Sequence, residues 1–555
     1  MKIKIIHFVF PVLCLSFLFA SRIFGQISAG GTPVSVRYSL SGDDRDLIIL
    51  TPPAIETLIN EDEQNPSPYR FAVNISSDIS PENNGSWTGV PGGRKIWRVT
   101  IYAKGAIALT AYFDRFRIPA GGRLFLYNAD QSYIIGAFTE MNNSREGNFA
   151  TELIPGDRLT LEYDPPSGSN ESPVIHVNEI AWAYRGVEFL NENTVKRGIA
   201  GICEVNVICP EGNNWQNQKR GVVRIQVKKQ SGSFWCSGSV VNNTRDDRTP
   251  YVLTADHCGA GATASDIEKW IFYFNYEATA CINPPDPPAP KSITGAVMKA
   301  HGGNSGMNGS DFFLVLLNQD IPESYNVFFN GWSRTDSSSP SGVGIHHPEG
   351  DVKKISTYDK PLTTSNWNGN AYLSHWKVKW IATPNGHGVT EGGSSGSPIF
   401  DNMGHLVGTL TGGDSACDSA SLDKPDYYGK FSWSWDKNGS DSASVLKYWL
   451  DPDSTGLKII NGMGVGIKEI TSSLPVKVFP NPFMDKLNIE IQPSAGPGTM
   501  MIHDLSGRML ISEPIPGSHG SVLSVSLSDL ADGIYLMELV CTKGVRTVKI
   551  IKQKN

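Results

Sequence analysis

Leu253-Thr-Ala-Asp-His-Cys-Gly259 ends an apolar run in a turn that presents an imidazole, and two further stretches complete its chemistry. Ser310-Asp-Phe-Phe-Leu-Val-Leu-Leu317 opens an apolar strand with a carboxylate, and Gly392-Gly-Ser-Ser-Gly-Ser-Pro398 presents a serine from a glycine-rich loop. Nucleophilic acyl transfer needs this set: a hydroxyl inert at its own pKa, an imidazole to take its proton, and a buried carboxylate to fix the imidazole tautomer. His257, Asp311 and Ser395 supply the three in the order His, Asp, Ser. Each motif alone is more often a turn or core segment; their joint occurrence in that order carries the reading.

Working outward, 555 residues at roughly 150 per domain make several domains, with length for more than one core. The 48 basic and 55 acidic residues give a net charge of −7, which excludes a basic surplus suited to nucleic acid or anionic membrane. A hydrophobic fraction of 40%, 56 Gly and 35 Pro describe a soluble, turn-rich chain dominated by strands. Lys2 and Lys4 precede an apolar run from Ile5 to Ala20, roughly 16 residues and too short to span a bilayer, so residues 1–25 read as a signal peptide. No other run approaches spanning length, and no stable membrane span is expected. Export permits disulfides, which the even count of 8 cysteines invites.

Residues 26–197 alternate apolar and polar positions between Pro-Gly and Gly-Gly turns, as in Trp97-Arg-Val-Thr-Ile-Tyr102, a β-sandwich pattern without a chemical constellation of its own. They read as a pro-domain or binding module. Lys196-Arg197-Gly198 is a basic pair in a polar stretch, the kind of segment that processing proteases cut. Residues 198–463 hold six of the cysteines, 464–473 form a linker, and 474–555 a last β-patterned module.

With these residues in view, the central domain resembles the chymotrypsin-fold serine peptidases: Cys236-Ser-Gly-Ser-Val240 and His257-Cys258 match the cystine that brackets their catalytic histidine. Gly201-Ile-Cys-Glu-Val-Asn-Val-Ile-Cys-Pro210, Ile345-His-His-Pro348, Gly388-Val-Thr-Glu391 and Trp449-Leu-Asp-Pro-Asp-Ser-Thr-Gly456 look like the bacterial lysyl endopeptidases. The resemblance implies an all-β chain with a chymotrypsin-like double β-barrel, flanked by an N-terminal β-sandwich pro-domain and a C-terminal β-sandwich. It implies Ser395 as nucleophile, His257 as general acid and base, Asp311 as orienting carboxylate, and the N–H groups of Gly393 and Ser395 as the oxyanion hole. Thr411, Gly412 and Gly413 fall where the substrate backbone pairs, and Asp426 matches the pocket carboxylate that selects a cationic P1 side chain. The family pairing joins Cys203 with Cys417, Cys209 with Cys281 and Cys236 with Cys258; sequence alone leaves the pairing of six cysteines open.

Departures accompany the match. Ser394 stands where trypsin-like enzymes receive the new N-terminal ammonium on an aspartate, so activation by N-terminus insertion is not expected. Val389 occupies the position of the usual pocket aspartate. Trp367 corresponds to the family tryptophan that stacks on a histidine, but Thr411 stands at that histidine's position. The mature N-terminus would be Gly198, after Arg197. Two readings compete with cleavage after Lys, or also Arg: another P1 preference, and an inactive surface-displayed binding protein on the same fold.

The tail, with Phe479-Pro-Asn-Pro482, Asp504-Leu-Ser-Gly-Arg508 and Leu530-Ala-Asp-Gly-Ile-Tyr535, resembles the sorting domain of the type IX secretion pathway. That implies secretion or outer-surface display by a Gram-negative bacterium, with the secretion machinery and protein or peptide substrates as partners. No metal, no cofactor and a mature monomer are expected. His346 and His347 read as structural, Asp256 as solvated, and Cys541 as a buried thiol.

Overall fold

The computed structural model describes residues 26–40, 47–65, 67–166, 168, 171–187, 200–282, 291–369, 371–464, 476–491, 497–504, 509–515, 522–541 and 544–553. The signal segment, Arg197 with Gly198, and most of the linker lie outside them. The chain divides into two compact units, Met1–Gly464 and Val465–Asn555. Both are built of strands, and among the described residues no helix is long and apolar enough to cross a membrane.

In the first unit, residues 222–317 make a sheet in which each strand pairs with the next in space: Lys291–Thr294, Ile271–Phe274, Val222–Lys229, Gly232–Val241, Tyr251–Thr254, Phe312–Leu317 and Ala296–Gly302. The first and last of these are separated in sequence by Gly295 alone, so the sheet nearly closes into a barrel. The second barrel runs Lys354–Tyr358, Gly342–His346, Pro398–Asp401, Leu406–Gly413, Asp426–Lys430, His375–Val378 and Thr363–Ser365. Strands buried on both faces, such as Gly232–Val241, read as continuous apolar or small-residue runs rather than alternating ones.

Residues 26–187 form a sandwich that is not closed on itself. One sheet, of order Leu47–Leu50, Arg94–Ala103, Arg158–Asp164, Arg123–Tyr127 and Ile134–Phe138, buries Trp97, Val99 and Ile101 at alternate positions. The other, led by Tyr69–Ile79, Val174–Ala183 and Ala108–Arg117, continues into the first barrel: Ser233 pairs with Ala72, Phe234 with Arg70 and Trp235 with Tyr69. Module and barrel share one apolar cluster, with Phe71, Tyr112, Leu153 and Ala181 from one side and Trp235, Ile271 and Tyr273 from the other. Alternation announces a half-buried strand but not its partner, so the pattern of residues 26–197 carries no sign of this continuity.

The second unit packs a three-stranded sheet, Val476–Phe479, Lys486–Ile491 and Val522–Ser526, and a four-stranded one, Met509–Ile515, Gly498–His503, Gly533–Cys541 and Gly544–Lys552, around Leu487, Ile489, Met500, Met537 and Leu539. Cys541 is a buried free thiol there.

Candidate active site

Pairing of Tyr251–Thr254 with Phe312–Leu317 sets Thr254 opposite Phe313, which brings the turn after the first strand onto the residue before the second. That turn carries His257 and that residue is Asp311. His257 Nδ1 meets Asp311 Oδ2 at 2.7 Å, and the His257 backbone N–H donates to Oδ1 at 2.9 Å, so both carboxylate oxygens orient the histidine. Asp311 is fully buried, holds φ at +55°, and accepts from Asp256 N at its own carbonyl. A carboxylate fixed in this way holds the proton on Nδ1 and leaves Nε2 as the basic nitrogen. His257 Nε2 is buried and engages no hydrogen-bond partner, free to take up a proton.

Ser395 is delivered by the second barrel. Gly396, at φ +79°, lies so close to the strand leading to His257 that a Cβ there would sit 2.1 Å from Thr254 Oγ1 and 2.6 Å from Ala255 N. Glycine at that position is what lets the serine loop lie on the histidine's own turn. Ser395 O accepts from Ser237 N at 2.8 Å, and the Cys236–Cys258 disulfide ties the strand that carries Ser237 to the histidine's turn.

The direction of the Gly393 N–H follows from one peptide plane. Gly392 O accepts a short hydrogen bond from Glu349 N, and in a trans peptide the N–H of Gly393 then points the opposite way. Gly393, at φ +92°, has its own carbonyl held by Ser237 Oγ at 3.0 Å. Among the described residues neither Gly393 N–H nor Ser395 N–H donates to a protein acceptor, which leaves both for a developing oxyanion.

Ser394 joins a buried chain instead of an ion pair. Its Oγ meets His346 Nδ1 at 2.8 Å, His346 Nε2 meets Ser356 Oγ at 3.0 Å, and Ser356 Oγ donates to Val389 O. Because Ser356 spends its proton on Val389, His346 donates from Nε2 and accepts from Ser394 at Nδ1. Burial pushes the His346 imidazole down to about 3, so it stays neutral. Nearby, Gly201 N donates to Glu391 Oε2 at 2.9 Å, which ties the segment after Gly198 to the loop that carries Ser395, and Cys203 is bonded to Cys417 in the loop after Gly413. The Cys209–Cys281 bond completes the three pairings.

Asp426, on the strand paired with Gly413, is fully buried. Trp380 Nε1 at 2.6 Å, Thr390 Oγ1 at 2.8 Å and Ser415 Oγ at 2.6 Å donate to its Oδ2, and Ser415 N at 3.3 Å to Oδ1. Burial pushes this carboxyl up to about 6 against the pull of those donors. A carboxylate served by neutral donors alone is strengthened by a cation brought to it. Val389 is buried in the apolar cluster beneath.

Trp367 lies against Gly412, whose Cβ would sit 3.1 Å from the indole, and edge-on to Tyr427. Thr411 takes no part in stacking, yet an imidazole is there all the same: His375 comes from another strand, 6.3 Å from the Trp367 ring and tilted 32°, with Nε2 3.0 Å from Thr411 Oγ1. Its position, 36 residues before Thr411, gave no signal. The solvated reading of Asp256 is corrected: it is 4% exposed, with Oδ1 2.9 Å from His301 Nδ1 and Oδ2 accepting from Ser305 N. The turn helix Asp256–Gly259 replaces the extended strand on which that reading rested. His346 and His347 are both fully buried, His347 Nδ1 on Asp351 O at 2.9 Å.

Residues 197–429 match the family described as lysyl endopeptidase, C-terminal domain, and residues 477–553 the secretion system C-terminal sorting domain. A lysyl endopeptidase of Pseudomonas aeruginosa is 26% identical over 369 residues, covering 62% of this chain and 75% of that one. Among solved structures, the protease Anisep of Arthrobacter nicotinovorans is 17% identical, with 39% of this chain and 91% of that one covered at a TM-score of 0.28. A Glu endopeptidase is 15% identical, with coverage of 42% and 94% and a TM-score of 0.25.

Proposed function

Since the chain is a serine endopeptidase whose residues 197–429 match the lysyl endopeptidase C-terminal domain, we propose that it is exported and hydrolyses peptide bonds after lysine, with arginine also accepted, through an acyl-enzyme on Ser395. His257 Nε2 takes the Ser395 proton as Oγ attacks the scissile carbonyl. The tetrahedral oxygen rests on the N–H groups of Gly393 and Ser395, and the imidazolium, steadied by Asp311, gives its proton to the departing amine. Water then repeats the sequence on the ester. One oxyanion donor of this kind is worth about 2.7–4 kcal/mol. Thr411, Gly412 and Gly413 hold the acyl half of the substrate, and Trp367 walls it.

The observation that carries the lysine reading is Asp426, a fully buried carboxylate whose four hydrogen bonds all come from neutral donors. A P1 ammonium would hold it ionised, and a P1 side chain without charge would leave it desolvated and unbalanced. Within this reading, residues 1–25 are the signal, 26–197 the propeptide, 198–463 the enzyme and 474–555 the sorting domain, with Arg197 before the mature Gly198. The sorting-domain match at 477–553 supports export to the medium or outer surface of a Gram-negative bacterium through the type IX machinery. Profiling cleavage of a mixed peptide library tests it: the wild type cuts after Lys, and Asp426→Ser lowers kcat/KM for Lys by ~10³-fold or more. A Lys preference that survives that substitution overturns the pocket assignment.

A further inference from the structure

We propose that residues Tyr69–Ala72 of the N-terminal module occupy the leaving-group side of the cleft, so that the uncut chain excludes peptides with residues beyond the scissile bond while its acyl side stays open. The proposal rests on the acyl-transfer reading above for the direction of the cleft.

The strand Gly232–Val241 is the bridge between module and nucleophile. Ser233, Phe234 and Trp235 pair with Ala72, Arg70 and Tyr69. Two residues on, Ser237 donates from its N to Ser395 O and from its Oγ to Gly393 O. The edge that Tyr69–Ala72 covers thus runs directly to the nucleophile and the oxyanion glycine. Tyr69 also reaches the loop itself: a Cβ on Gly392 would lie 2.7 Å from Tyr69 Cδ2.

The ring is held there by a network with no part in catalysis. The Arg185 guanidinium lies over it at 4.3 Å. Asp62, 4% exposed, accepts from Arg70 Nε at 2.8 Å and from Tyr184 OH at 2.5 Å, and pairs with Arg185 Nη2 at 2.9 Å. Trp235 is stacked on Phe71 with ring centroids 4.2 Å apart, and its Nε1 donates to Gly186 O at 2.7 Å.

The opposite edge differs. Gly412 is half-buried and Gly413 exposed, so the acyl half of an extended peptide finds backbone groups within reach. A peptide laid along Thr411–Gly413 with its carbonyl at Gly393 carries its leaving half past Gly392 toward Ser233–Trp235. An added strand binds through backbone hydrogen bonds to a free sheet edge, and Tyr69–Ala72 already uses this one.

The test compares two substrates on the full chain, confirmed uncut by mass spectrometry. Both carry the same acyl half and the P1 residue that the chain cleaves best, so an error in the lysine reading shows in that choice alone. One has a chromogenic leaving group directly after P1; the other continues for three residues as a quenched peptide. We expect turnover of the first, labelling of Ser395 by a fluorophosphonate, and kcat/KM for the second at least ~100-fold lower. Tyr69→Ala and Asp62→Ala should narrow the gap by ~10-fold or more and leave the chromogenic rate and the labelling unchanged. Equal handling of the two substrates by the uncut chain overturns the proposal. So does a gap that persists in two variants that still label, or an uncut chain that neither labels nor turns over the chromogenic substrate, since the block would then not be confined to one side.

Discussion

The two barrels of the peptidase region differ in what completes them. The barrel that carries His257 and Asp311 extends into a foreign sheet, with Tyr69–Ile79 on its edge and Trp235, Ile271 and Tyr273 packed against Phe71 and Tyr112. Among the described residues the barrel that carries Ser395 and Asp426 takes no strand from the module and packs its own cluster around Trp376, Trp380, Val389 and Tyr428, with Tyr69 reaching it at the Gly392 loop. The candidate catalytic groups are divided between them, but the support is not: the half of the candidate site that carries His257 and Asp311 leans on the module of residues 26–187.

The strongest way to break this picture is to remove one catalytic group from each barrel. Ser395→Ala and His257→Ala should each lower kcat by ~10⁴–10⁶-fold with the far-ultraviolet spectrum unchanged, and the double variant should lose no more than either. Additive losses would show that the two barrels do not act on one proton. Next in size, Trp235→Ala and Trp376→Ala should each cost about 3–5 kcal/mol, read as a shift in the denaturant midpoint. After proteolysis within residues 188–199 the two should part company: gel filtration should show the module leaving the Trp235 variant and staying with the Trp376 variant. Identical elution would refute the asymmetry.

A smaller effect depends on pH. Glu152, in the module and fully buried, is pushed up to about 7 by burial, with Ser292 and Arg224 pulling it back. Its docked pKa lies above the ordinary carboxylate value near 4.5, so its favourable contribution is complete below that value and lost as pH rises through about 7. A cut chain should therefore release its module more readily at pH ~8 than at pH ~5, and Glu152→Gln should flatten the dependence. The smallest change is expected for His346→Ala, which deprives Ser394 and Ser356 of their shared partner: kcat should fall ~10-fold with KM little altered, measured on the chromogenic substrate.

Much of the site was legible because its chemistry is local. The imidazole of Leu253–Gly259, the carboxylate of Ser310–Leu317 and the serine of Gly392–Pro398 each sit in a short motif; the structure pairs the imidazole with the carboxylate and lays the serine loop against the strand end that leads to the imidazole. Asp426 is singled out only by resemblance, since nothing in Lys424-Pro-Asp-Tyr-Tyr-Gly429 says that Trp380, Thr390 and Ser415 converge on it. His375 and Asp256 escaped because their roles depend on strand pairing and on a turn helix, and a side chain's burial cannot be read from its neighbours in sequence. The continuity of module and barrel was illegible for the same reason. Alternation in Tyr69–Ile79 tells which face is apolar, and the edge it joins lies some 160 residues away in the chain.

The pairing of Ala72 with Ser233 has a consequence in time. A chain made from its N-terminus completes Tyr69–Ile79 well before Gly232–Val241 exists, so the earlier strand can wait as a template for the later one. Long-range strand pairing is slow because a large loop must close before any contact rewards it, and a sheet already in place shortens that search. A mature enzyme separated from its template would keep a barrel that it could no longer readily rebuild, and its lifetime would be set by how rarely it unfolds.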